Sequence, residues 1–225
     1  MSRSDPLIRQ SSSVGREVAI GPFGLSGYLA APQANHGMVL FAHGSGSGRD
    51  SPRNQFVARA LQKSGCGTLL LDLLTDAEAQ DRANVFDIGL LADRLRAATD
   101  WLGQREDLHN APIGYFGAST GAGAALVAAA DSPQPIGAVV SRGGRPDLAG
   151  DRLRRVNAPS LLIVGGADAE VLALNRRALE LMSSEKQLSI VPGATHLFEE
   201  PGALEQVVDL ASRWFETHFT RVRPS

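Results

Sequence analysis

The chain has 225 residues, a formal net charge of −2 and 43% hydrophobic residues. That length is enough for one domain with a full core, without disulfide or metal support, and the charge gives no global drive toward nucleic acid or an anionic membrane. The single cysteine, Cys66, excludes an intrachain disulfide and fits a reducing cytoplasm, and no Cys/His spacing of the zinc kind is present.

Residues 1–15 (MSRSDPLIRQSSSVG) are polar and lack the apolar centre of a secretory signal. They read as a flexible N-terminal segment ahead of a single domain over 16–225. No apolar run is long enough to span a bilayer, so a soluble, cytoplasmic protein with no membrane partner is expected. "REVAI" (16–20) and "LSGYLAA" (25–31) read as strands of a hairpin turned by "GPFG". "GMVLFA" (37–42) is a strand that runs into the glycine-rich "HGSGSGRD". Residues 53–64 have helical spacing, with Phe56, Val57, Ala60 and Leu61 assigned to one face.

"GTLLLD" (67–72) is a buried type of strand, followed by a polar loop and a helix over about 86–103. "APIGYFG" (111–117) is a strand, 120–130 an alanine-rich helix, and "IGAVVS" (136–141) and "SLLIVGG" (160–166) are further strands. A helix over 171–182, the strand "KQLSIVPG" (186–193) and a terminal helix over 203–219 complete the chain. Apolar strands alternating with helices imply an α/β fold: a mostly parallel central sheet of about eight strands flanked by helices. Ligands of such sheets bind beyond the carboxyl ends of the strands, so the loops there should carry the chemistry.

One of those loops, Gly117-Ala118-Ser119-Thr120-Gly121, has the Gly-x-Ser-x-Gly pattern of a nucleophile elbow. A serine at a sharp strand-to-helix turn needs small neighbours, and the following helix aims its first amides at a developing oxyanion. Close packing of small residues is the plain alternative. A serine hydroxyl needs a base, and His196 follows the last strand, 77 residues after Ser119. Of the other histidines, His36 and His109 fall in polar turns and His218 on the terminal helix. Asp168, after "SLLIVGG", is the expected orienting acid, with Glu170 the rival and a helix N-cap the plain alternative role.

The oxyanion is assigned to the amides of Thr120 and Ser45, with Gly44 next in line. His43 is expected to brace its loop without transferring protons. Nucleotide binding by this loop is disfavoured, because it lacks the Gly-Lys-Ser/Thr ending of a P-loop and fails Gly-x-Gly-x-x-Gly at its last glycine. Only residues 142–158 separate "IGAVVS" from Pro159, too few for a lid domain, so an open site suited to small or short-acyl esters is expected. Arg142, directly after a strand, is a candidate clamp for a substrate carboxylate, or it ties down its own loop.

With "FAHGSGSGR", "LLLDLLT", "GYFGASTGAGAAL", "SRGGRPDLAG", "LLIVGGAD" and "VPGATHLFEEPGAL" in view, the chain resembles the α/β-hydrolases over roughly residues 16 to 219. Within them it is similar to the dienelactone-hydrolase-like group, some members of which are fused to phosphoribosyltransferase domains. The resemblance implies an α/β-hydrolase fold without a lid domain and a Ser119, Asp168 and His196 triad. It also implies carboxylester hydrolysis with no cofactor or metal, in a monomer or homodimer. Dienelactone hydrolases usually carry cysteine at the elbow. Ser119 in its place favours a general serine esterase, with a lactonase, a thioesterase or a non-catalytic binding module as alternatives.

Overall fold

The computed structural model describes residues 14–31, 36–108 and 110–221. His109 and residues 1–13 of the expected N-terminal segment lie outside them. Val14 is already part of the core: its side chain is buried and its carbonyl accepts a hydrogen bond from Gln62 Nε2 at 2.7 Å.

Eight strands form one sheet in the order β1-β2-β4-β3-β5-β6-β7-β8. β1 (Arg16–Ile20) and β2 (Leu25–Ala30) are the antiparallel hairpin at one edge, and β2 joins β4 (Gly67–Leu71) antiparallel. From β4 onward, β3 (Met38–Ala42), β5 (Ile113–Ala118), β6 (Ala138–Arg142), β7 (Ser160–Gly165) and β8 (Lys186–Val191) run parallel. The central strands are buried on both faces, which explains their unbroken apolar sequences.

One core face packs under α4 (Ile88–Gly103), α5 (Thr120–Asp131) and α6 (Ala169–Leu181), joined by a 3-10 segment over Pro146–Arg155. The other packs under α1 (Pro52–Lys63) and α7 (Ala203–Arg221). α5 sits deepest, with Thr120 to Ala128 buried all round, and its alanines and glycines let it lie close on the sheet. None of the helices among the described residues is long and apolar enough to cross a membrane.

Two local expectations are corrected. The inward face of α1 is Asn54, Val57, Ala58 and Leu61, while Phe56 is 40% exposed; the stripe keeps the i, i+3, i+4, i+7 spacing but begins at polar Asn54, which turns inward to Arg142, and Phe56 lies off it. The polar loop after β4 is folded into α2 (Asp76–Ala79) and α3 (Arg82–Phe86). Thr75 and Glu78 make a reciprocal capping box, and Asp81 and Asp87 cap α3 and α4. Arg94 of α4 pairs with Glu78 and lies 3.6 Å over the Phe23 ring, so the two short helices are pinned to the body.

Candidate active site

The strand order reverses at β3. The chain leaves it toward β4 on one side and returns to β5 on the other, so the loops after β3 and β5 meet across the crevice where such sheets bind ligands. The β5 loop is a single residue, Ser119, held at φ 51° and ψ −122°. Left-handed backbone at a non-glycine residue costs on the order of 1–3 kcal/mol and persists only where its surroundings impose it. The surroundings are the flanking glycines. A Cβ on Gly117 would fall on the Ala122 backbone, and one on Gly121 on the carbonyls of Ala42 and His43. Ser119 precedes α5 but makes no side-chain cap, which leaves its hydroxyl available.

His196, in the loop after β8, approaches that hydroxyl with Nε2 3.4 Å from Ser119 Oγ. Its Nδ1 lies 2.8 Å from Asp168 Oδ2. The second oxygen of Asp168 accepts the Val171 amide at 3.4 Å, so this carboxylate is at once the N-cap of α6 and the partner of the imidazole. Glu170 points elsewhere, near enough to Arg145 to help raise its pKa behind the larger effect of Asp147. A donor on Nδ1 leaves Nε2 with its lone pair toward Ser119. Phe198, buried and itself at φ 57°, anchors the histidine loop; its aromatic bulk in "THLF" was the sequence signal for this role.

The loop after β3 lies directly against the serine, with Gly44 so close that a Cβ there would sit 3.0 Å from Ser119 Cβ. The Thr120 amide opens α5, where helix amides have no intrahelical acceptor. The Ser45 amide donates to Thr120 Oγ1 at 2.9 Å, which ties the loop after β3 to the first residue of α5. His43 braces the loop: Nε2 accepts the Leu73 amide at 3.1 Å, which puts its proton on Nδ1, 3.0 Å from the Gly44 carbonyl. Burial lowers the His43 pKa below its ordinary value and outweighs the opposing Gly44 hydrogen bond and Asp72 charge, so the ring stays neutral.

Arg142 does not join this group. It is 7% exposed, its Nη2 is 3.4 Å from Asn54 Oδ1, and its guanidinium lies 6.0 Å from the Phe198 ring. It therefore packs between the start of α1 and the histidine loop. Burial, with Arg53 nearby, pushes its pKa down to about 10, still well above neutrality. Cys66 is also remote; burial pushes its thiol up to about 11, which keeps it protonated and unreactive at neutral pH.

A cavity of about 360 Å³ opens along the loop after β3, from Gly44 and Ser45 outward. Its floor is the loop 43–47, and its wall is Leu74, Ala79, Val85 and Leu91, with Asp72 and Asp76 at its polar end. No apolar period in the segment after β4 announces this wall, since its two short helices bury none of their residues. The Thr75-Asp76-Ala77-Glu78 pattern was the available signal for a helix there.

The family described as alpha/beta hydrolase fold matches residues 37–181. A crystal structure titled dienelactone hydrolase, from Anabaena variabilis ATCC 29413, is 56% identical, with a TM-score of 0.87 over 91% of this chain and 97% of that one. A Mycobacterium tuberculosis (strain H37Rv) protein provisionally named a phosphoribosyl transferase is 56% identical over 222 residues, 99% of this chain. The chain spans about half of that relative, 49% of its length. Est1E from Butyrivibrio proteoclasticus, 15% identical, has a TM-score of 0.77 over 92% of this chain and 100% of that one, a likeness of fold alone.

Proposed function

This chain belongs to the α/β-hydrolase family, in its dienelactone-hydrolase-like group, and on that footing we propose that it is a serine hydrolase of carboxylic esters. The observation that carries the reading is the hydrogen-bonded line from Ser119 Oγ through His196 to Asp168. His196 Nε2 takes the Ser119 proton as Oγ bonds to the ester carbonyl carbon. The resting 3.4 Å separation shortens when substrate packs against the serine. The carbonyl oxygen, now anionic, is received by the Thr120 and Ser45 amides. The imidazolium then protonates the departing alkoxide as the carbon–oxygen bond breaks. Water enters, gives its proton to Nε2 and attacks the acyl-enzyme; the carboxylic acid leaves and Ser119 regains its proton. Asp168 holds the imidazole in the tautomer this sequence needs.

The same groups would open a lactone or a thioester, since nothing in them selects the leaving group; parallel assays with ester, lactone and thioester substrates separate these. Phosphoribosyl transfer is a name carried by a relative about twice as long, and the loop after β3 offers no lysine for phosphate. A cytoplasmic setting is supported by the lone buried thiol. The test is intact-mass analysis after incubation with a fluorophosphonate, beside Ser119→Ala. A single adduct absent from the variant supports the reading, and no adduct on folded protein overturns it.

A further inference from the structure

We propose that the 360 Å³ cavity beside the oxyanion loop is the acyl pocket, and that it takes an uncharged acyl group of medium size while excluding acyl groups that end in a carboxylate. This rests on the serine-hydrolase reading above. Position assigns the acyl side. The leaving oxygen must lie next to His196 Nε2, which protonates it, and the carbonyl oxygen lies at the Ser45 and Thr120 amides. The direction that remains is away from the histidine loop. The cavity lies there: its floor, the loop 43–47, includes Gly44 and Ser45 of the oxyanion site, and the rest of its lining comes from the segment after β4 and from Leu91 of α4.

Size and chemistry assign the occupant. The volume is at the low end of the roughly 300–1,000 Å³ of small-molecule sites, enough for a hexanoyl or a simple aryl-acyl group. Leu74, Ala79, Val85 and Leu91 make one apolar wall. The charged residues in the lining are Asp72 and Asp76, and none is basic. Asp72 is held by Arg49, through the Arg49 amide at 2.7 Å and an ion pair at 3.3 Å, whereas Asp76 is exposed at the start of α2. A second carboxylate brought between them would lose hydration and meet like charge. Arg142 is not in the lining, and the nearby Arg49 and Arg94 are engaged with Asp72 and Glu78 from outside it. The wall is a built feature, since the Thr75–Glu78 capping box, the Glu78–Arg94 pair and the Asn84 Nδ2 bond to the Glu78 carbonyl at 2.9 Å fix both short helices.

The experiment compares kcat/KM for p-nitrophenyl acetate, p-nitrophenyl hexanoate and mono-p-nitrophenyl adipate, on the native protein, Ala79→Trp and Ala77→Trp. Ala77 lies on the same short helix, outside the lining. Hexanoate should exceed adipate by about tenfold or more. Ala79→Trp should lower the hexanoate-to-acetate ratio by about tenfold, and Ala77→Trp should leave it as it was. Adipate turned over as well as hexanoate overturns the charge preference, and equal loss on acetate and hexanoate in Ala79→Trp overturns the location. Failure to hydrolyse all three esters, with no fluorophosphonate adduct, sinks the hydrolase reading instead. The pocket is then still decided by NMR titration of Ser119→Ala with hexanamide and adipamate: hexanamide shifting the Leu74 and Val85 methyls, with adipamate silent, supports it, and no shift with hexanamide overturns it.

Discussion

The amide of Ser45 donates to the side-chain oxygen of Thr120 at 2.9 Å, although both residues are assigned to the oxyanion through their backbones. The hydroxyl thus holds the loop after β3 in register with the start of α5 and keeps the Ser45 amide beside that of Thr120. An arriving oxyanion shares that hydrogen or displaces the hydroxyl from it. Removing a whole oxyanion donor costs about 10²–10³ in kcat in well-studied hydrolases. Thr120→Val keeps both amides and removes only the positioning oxygen, so kcat should fall by about tenfold with KM little changed. Thr120→Ser should restore most of it. A rise in kcat for the valine variant would mean that the hydroxyl obstructs the amide.

Asp168 has two tasks, and one substitution separates them. Asn caps helices as well as Asp does, so Asp168→Asn should leave α6 intact and shift Tm little. It cannot hold His196 in the tautomer with a proton on Nδ1, and kcat should fall by about 10⁴, as in other Ser-His-Asp enzymes. Asp168→Ala loses the cap as well and should also destabilise by about 1 kcal/mol. Steady-state kinetics with urea unfolding of both variants checks this. Equal Tm losses for the two would mean the cap is not what differs between them.

Much of this site was legible in the sequence because its parts are local. Gly117, Ser119 and Gly121 are diagnostic together since each answers one steric demand of a single turn, and Asp168 and His196 each follow a strand that its own apolar run defines. The segment after β4 was not legible in the same way. Its helices are one turn each and bury none of their residues, so no apolar period announces them. They are set by caps and by the Glu78–Arg94 pair, which joins residues 16 apart. Phe56 is exposed for a related reason: its hydrophobicity suggests the core, while the inward stripe begins at polar Asn54, whose distant partner Arg142 no local pattern shows. The fate of Arg142 depended on Asn54, 88 residues away in sequence, which no spacing rule reaches.

His43 makes the fold sensitive to acid. Its folded pKa is lowered from the ordinary 6.5, chiefly by burial, so the unfolded chain binds the proton more readily. The stability this group contributes is therefore complete above about pH 6.5 and is lost as pH falls through the folded value. Urea midpoints measured at pH 7.5 and 5.5 should drop further for the native protein than for His43→Gln, which has no proton to gain. Parallel drops in the two proteins would assign the acid sensitivity to other groups.

Arg142 lies between Asn54 and Phe198 and away from the cavity, and this predicts its behaviour toward substrates. In Arg142→Met the preference between neutral and anionic esters should stay within about twofold. Stability should hold or rise, since a well-packed apolar side chain often replaces a buried charge at no loss. A selective collapse of anionic-ester hydrolysis would return Arg142 to the role of a carboxylate clamp.

Ser119 itself stores strain that a pair of variants can read. Both Ser119→Ala and Ser119→Gly abolish the nucleophile, so neither is informative about rate. They differ in how they accept φ 51° and ψ −122°. Left-handed strain at a residue with a Cβ is worth about 1–3 kcal/mol, whereas glycine loses about 0.5–1 kcal/mol more than alanine in chain entropy. The difference predicts that Ser119→Gly is the more stable by about 1 kcal/mol, measured by urea unfolding. If alanine proved the more stable, the elbow would have to be relaxed in solution. The 3.4 Å approach of Ser119 Oγ to His196 would then need substrate to bring it about.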